Sequence, residues 1–200
     1  MAMAPSQLGI FTRSGPEHNR ANIEYHVQPL SLDAFGQPLH RTPALTVSVC
    51  NLRPTSRGAT HAKAPDAAMA PAIQPNYLAT EEDRKVAAES IRHARRLMAT
   101  ETMARYRPVE VKPGPGDESD AALAELAGAI GTTIFHPVGT ARMGSDADAV
   151  VDPKLKVRGI GGLRVADCSI MPTIVSGNTH AAAVMIGERA AELLIAAGRG

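Results

Sequence analysis

Phe135-His136-Pro137-Val138-Gly139-Thr140-Ala141-Arg142-Met143-Gly144 and Ser176-Gly177-Asn178-Thr179-His180 are the two stretches whose reading decides how this chain is understood. Thr132-Thr133-Ile134-Phe135 reads as an apolar, strand-like run leading into the first of them. The residue before a proline is pushed out of the helical region, so His136 is expected at the end of an extended segment. Asn178 stands just before an Ala-rich helical run and is an N-cap candidate, with the helix's first N–H groups facing whatever sits there. The expectation is that His136 and Asn178 meet across one active site, with the first turn of the last helix aimed at an anionic group.

Working outward, residues 8–14 read as a strand, followed by a turn at Gly15-Pro16. From Asn22 to Leu30 the pattern alternates, with Ile23, Tyr25 and Val27 on one face and Glu24, His26 and Gln28 on the other, which predicts a half-buried strand. Ala44–Leu52 alternates in the same way, and a short strand is expected near 59–63. Residues 64–75 carry no usable period. Thr80 opens a helix to about Met98: Thr80 and Asp83 resemble a capping box, acids fill the first turn, and Arg92, Arg95 and Arg96 lie near the end. Val86, Ala87, Ile91, Ala94, Leu97 and Met98 are its expected buried stripe. A loop over 107–116 precedes a second helix, expected to be capped by Asp117 and buried through Leu123, Leu126 and Ile130. A short strand at 163–166 ends at Asp167. The last helix is expected over 179–197 with Ala183, Ile186, Ala190, Leu193 and Leu194 inward.

The bulk composition narrows the function classes. Twenty-one basic residues against 20 acidic leave a formal charge of +1, without the basic excess that nucleic acid or an anionic membrane requires. Aromatics make up 3% and tryptophan is absent, so base-stacking platforms are not expected. Cys50 and Cys168 read as free thiols of a reduced compartment, with a single disulfide as the alternative. No signal-peptide pattern and no run of 18 apolar residues is visible, and the chain reads as soluble and cytoplasmic. The other histidines, His18, His26, His40, His61 and His93, show no H-x₃-H spacing or carboxylate partnering that suggests a metal, and no G-x-S-x-G marks a hydrolase serine. No metal site is expected.

Four pieces together carry a family resemblance: residues 136–144, Val-Val-Asp-Pro-Lys-Leu-Lys-Val-Arg-Gly at 150–159, Gly-Leu-Arg-Val-Ala-Asp-Cys-Ser-Ile-Met-Pro at 162–172, and Ser-Gly-Asn-Thr-His at 176–180. They resemble the C-terminal signature of the glucose–methanol–choline (GMC) FAD-dependent oxidoreductases. Arg53-Pro-Thr-Ser-Arg-Gly58 and Pro75-Asn-Tyr-Leu78 resemble that family's substrate-domain half. The resemblance implies that His136 is the catalytic histidine taking the hydroxyl proton, and that Asn178 is the second catalytic position, in the form similar to choline dehydrogenases. It implies that Phe135 lines the substrate side, and that Ala166, Asp167, Thr179, His180 and Ala181 contact FAD. Cys168 and His180 depart from the family's usual residues. An imidazole is a suitable base near neutral pH, a carboxamide can hold the same oxygen without adding charge, and the positive end of the last helix would stabilise negative charge on the flavin.

The G-x-G-x-x-G cradle for the FAD pyrophosphate is not in this sequence; Gly159-Ile-Gly-Gly162 reads as a turn into a strand. The fold class expected is therefore α+β: a mostly antiparallel substrate-domain sheet with flanking helices over 1–130, then the C-terminal strand and helix segment of an FAD-binding α/β domain over 131–200. The function expected is oxidation of an alcohol CH–OH group, as oxidase or dehydrogenase, with a complementary FAD-binding N-terminal half as partner. The alternative is a non-catalytic fragment that acts only by docking to such a half.

Overall fold

Period-two alternation becomes a three-stranded sheet. The computed structural model describes residues 6–34, 36–116 and 118–198. These residues form two units: those within Met1–Arg57 and Tyr77–Thr132, and those within Gly58–Asn76 and Thr133–Gly200. The fold is mixed α and β with small antiparallel sheets.

In the first unit β1 (Leu8–Thr12), β2 (Ile23–Gln28) and β3 (Thr46–Asn51) pair antiparallel in that order. Tyr25 lies between Ile10 and Val49, and Val27 opposite Val47, so the apolar sides of all three strands share one face. Helix α1 (Glu81–Met98) covers that face through Val86 and Ala94. Burial pushes the Tyr25 phenol up to about 12, and its oxygen lies 2.8 Å from His93 Nδ1. The opposite face departs from the expected half-buried pattern. Glu24 is only 3% exposed. Its carboxylate lies 3.0 Å from His26 Nε2 and accepts from the thiol of Cys50, its neighbour across the ladder. Burial first, and then the charge of Glu24, push that thiol up to about 11.

α1 has a second buried side. Ala88 and Ile91 pack on Leu123 of α3 (Asp120–Ile130), so the buried stripe runs through Ala88 and Ser90, two residues the periodic reading left out. A one-turn helix α2 (Glu101–Ala104), not anticipated from the sequence, intervenes. The cap of α3 is Ser119, whose hydroxyl accepts from Ala122 N; the expected cap Asp117 lies outside the described residues. Ile130, expected inward, is exposed at the helix end.

The capping box at Thr80 is half made. Thr80 Oγ1 accepts from Asp83 N at 3.2 Å, but the Asp83 carboxylate turns away from the cap. It accepts from Thr55 N at 2.9 Å, Ser56 N at 2.8 Å, Thr55 Oγ1 and Asn51 Nδ2, and so pins the 53–57 turn to α1. Burial raises the Asp83 carboxyl, but the hydrogen bonds from Ser56 and Thr55 outweigh it and hold it below its ordinary value. That stabilisation is complete above the unfolded carboxyl range near pH ~4 and is lost as pH falls through the lower folded value. Asp83→Ala leaves these part-buried donors without their acceptor and should cost about 1–2 kcal/mol in urea unfolding at pH 7, with the gap to wild type shrinking in acid.

The second unit is built mostly from loops. β4 (Ala59–His61) pairs antiparallel with β5 (Ala72–Gln74), a strand hidden in the aperiodic 64–75 stretch. Isolated bridges join Met143 to Val151, Val151 to Val157 and Lys156 to Arg164, and the short strand expected at 163–166 is reduced to the last of them. Residues 132–135 form no strand. A 3-10 turn at Cys168–Ile170 leads towards α4 (His180–Gly198). Val151, Leu155, Ile170, Met171, Ile186 and Ala190 form the core, with Leu193 against it; Leu194, expected inward, is exposed. Cys50 and Cys168 are free thiols.

Candidate active site

The segment carrying His136 is shaped by backbone that side chains resist. Phe135 takes φ 63°, a left-handed conformation that is strained for a bulky residue, and its N–H donates to Thr133 Oγ1 at 3.0 Å. The expected extended run is broken there, one residue before His136. Gly139 has φ 88°, and a Cβ on it would stand 3.2 Å from Met171 O. Ala141 N then donates to Ser169 O at 3.0 Å and Met143 N to Ile170 O at 2.8 Å, strapping the motif to the 3-10 turn. Val138 and Met143 pack on the core beside α4. Arg142 grips Asp146 with two hydrogen bonds, and this pairing holds the Asp146 carboxyl well below its usual range.

At the mouth of α4, Ala183 N donates to Thr179 O at 2.9 Å, the first bond of the helix. Thr179, not Asn178, therefore holds the N-cap position. His136 is bonded through both ring nitrogens to these two consecutive residues. Thr179 Oγ1 lies 2.8 Å from Nδ1, and Asn178 Nδ2 lies 3.1 Å from Nε2. Thr179 is buried, His136 half-buried and Asn178 exposed. The structure thus brings together two residues 42 positions apart, and adds Thr179, which sequence reading assigned to cofactor contact and not to the histidine. Its adjacency to Asn178 was the only available signal.

The remaining sequence-predicted residues are also in this unit. His180 and Ala181 are exposed in the first turn of α4. Ala166 and Asp167 are exposed, and Asp167 Oδ1 accepts from Ser169 N at 2.8 Å. The Phe135 side chain is 67% exposed. A groove of about 460 Å³, lined by Lys156, Arg158, Ile160, Leu163 and Ala197 among others, includes none of them.

Three other histidines have carboxylate partners that the sequence did not reveal. His18 faces Glu89 at 3.5 Å, His26 faces Glu24 at 3.0 Å and His40 faces Asp33 at 3.3 Å. The first pair is 71 residues apart, so only folding could reveal it. Glu17, His18 and Glu89 bring ligand-type atoms within 4.8 Å of one another, but the Lys85 ammonium already bridges both carboxylates there. Among the described residues, no helix is long and apolar enough to cross a membrane.

The model of the family described as GMC oxidoreductase matches residues 54–187, well over half of the chain. The chain belongs to the GMC oxidoreductase family. It is 40% identical over 190 residues to "Alcohol dehydrogenase [acceptor]" of Pseudomonas putida, covering 95% of this chain and 34% of that protein. It is 38% identical over 188 residues to an oxygen-dependent choline dehydrogenase of Klebsiella pneumoniae, covering 94% and 34%. Among solved structures, pyridoxine 4-oxidase from Mesorbium loti superposes with a TM-score of 0.82 at 28% identity, over 92% of this chain and 36% of that one. Aspergillus oryzae formate oxidase, solved in a study of its FAD modification, gives 0.80 at 30% identity over 90% and 32%. The chain spans about a third of the length of these relatives.

Gly139→Ala forces an L side chain into the left-handed region and against Met171 O. It should destabilise the second unit by about 1–2 kcal/mol, read as lowered amide protection of α4 in hydrogen exchange.

Proposed function

We propose that this chain is the catalytic C-terminal part of an FAD-dependent enzyme that oxidises the CH–OH group of a small alcohol, similar to choline dehydrogenase. The observation that carries the proposal is the contact of His136 Nε2 with the carboxamide of Asn178. A substrate hydroxyl inserted between them would donate its proton to Nε2 and accept from Asn178 Nδ2. His136 is then the base, and Asn178 orients the alcohol oxygen without adding charge. Phe135, with its exposed ring beside His136, suits an apolar wall for the substrate carbon.

FAD, when bound, supplies the hydride acceptor. The residues present fit it in part. The first turn of α4 offers outward N–H groups, the positive end of the helix dipole, and small side chains at Ala181 and Ala182. His180, Ala181 and the backbone at Thr179, with Ala166 and Asp167, would hold the flavin; the pyrophosphate cradle would come from the N-terminal half. On this reading 1–130 is part of the substrate domain and 131–200 completes the FAD domain. The partner on this reading is a complementary FAD-binding half that supplies the rest of the FAD domain.

The test is complementation. The chain alone should not bind FAD stoichiometrically; flavin-fluorescence titration showing tight binding would remove the need for a second half. Joined to the FAD-binding half of the P. putida relative, it should reduce an artificial acceptor with primary alcohols. His136→Ala should then lower kcat by about 10²–10⁴-fold and Asn178→Ala by less, and undiminished turnover in His136→Ala would refute the base assignment.

A further inference from the structure

We propose that Thr179 is a positioning residue for His136: its hydroxyl accepts the Nδ1 proton and so stabilises the tautomer that Asn178 selects, with Nε2 as the basic nitrogen. The inference rests on the reading of His136 as the base, and assigns Thr179 a role separate from cofactor contact.

A neutral imidazole has one N–H and one lone pair, and which nitrogen carries which is set by the partners. The nitrogen of a carboxamide can only donate. Asn178 Nδ2, 3.1 Å from Nε2, therefore requires the lone pair there. The proton is left on Nδ1, pointing at Thr179 Oγ1 2.8 Å away, and a hydroxyl oxygen accepts it. The other tautomer would set an N–H on Nε2 against the N–H of Asn178, two donors face to face. The Asn178 contact selects the tautomer, and the Thr179 hydroxyl, able to donate or accept, takes the Nδ1 proton that this tautomer presents.

The Thr179 bond is the more durable of the two. Thr179 is 7% exposed, whereas Asn178 is open to solvent, so water competes little for Nδ1. Threonine is stiff at χ1, and the Thr179 backbone is fixed by the bond its carbonyl accepts from Ala183 N. The oxygen is therefore placed by the helix. Nδ1 keeps its proton when Nε2 gains one, so this bond survives in both charge states of the ring. The proton is received on the one nitrogen that faces Asn178.

The experiment uses the 200-residue chain with ¹⁵N-labelled histidine, read by long-range ¹H–¹⁵N correlation above the imidazole titration range. His136→Gln assigns the His136 signals among the seven histidines. Wild type is expected to show a protonated, pyrrole-type Nδ1 and a pyridine-type Nε2. Thr179→Val should shift proton population to Nε2, and Thr179→Ser should restore the wild-type pattern. A wild-type His136 protonated on Nε2 would overturn the proposal, as would an unchanged pattern in Thr179→Val. If the valine variant does not fold, Thr179→Ala removes the same hydroxyl and makes the same test. A failure of the base assignment would appear as activity in His136→Ala and would leave these spectra unmoved.

Discussion

An imidazole held by both nitrogens at the mouth of a helix is a demanding arrangement, and the second unit is organised to permit it. The ring of His136 must arrive beside Thr179 and Asn178 from a segment 42 residues earlier in the chain. Phe135 accepts a left-handed backbone to turn the chain there, at a cost of order 1–3 kcal/mol. Gly139 makes the next bend, where a side chain would meet Met171 O. What offsets the strain is the core under α4: Ile170, Met171 and Ile186 are nearly fully buried, each contributing about 1.5–3 kcal/mol. The helix is anchored by its apolar side, and its polar mouth is thereby fixed in place.

The first unit solves a different problem. Its sheet buries an apolar face against α1, as alternation demands, but it also shields Glu24 on the other face beside His26 and Cys50. Asp83 carries a comparable burden at the start of α1, where one carboxylate organises the whole 53–57 turn. Farther along, Arg95 joins Glu110, Glu118 and the Gly114 carbonyl, so a Pro- and Gly-rich loop is tied to the helix by one guanidinium. In the last two cases a loop without periodic structure is held to α1 by a charged group with several partners.

The main strands and long helices were legible because alternation at 22–28 and 46–51 and the capped pattern at 80–98 are local signals. So was the pairing of His136 with Asn178, expected from the strand end and the helix start and strengthened by the family resemblance of the motifs at 136–144 and 176–180; a lone His-Pro says little. The failures share a cause. β5 is three residues long, α2 a single turn, and the bridges at 143–164 isolated pairs, all too short to print a period on the sequence. Leu194 and Ile130 satisfy helical spacing but face outward, because spacing gives a face and not what covers it.

Sequence alone determined the main strands, the long helices, the two motifs and the polar residues at the helix mouth, because these follow from residue chemistry and near-neighbour spacing. Tertiary structure decided which atoms meet. It moved the cap of α4 from Asn178 to Thr179, turned the Asp83 carboxylate from its own helix to the 53–57 turn, and gave His18, His26 and His40 carboxylate partners. A hydrogen bond depends on positions to within a few tenths of an ångström, and residues tens of positions apart acquire such positions only when the core between them has packed.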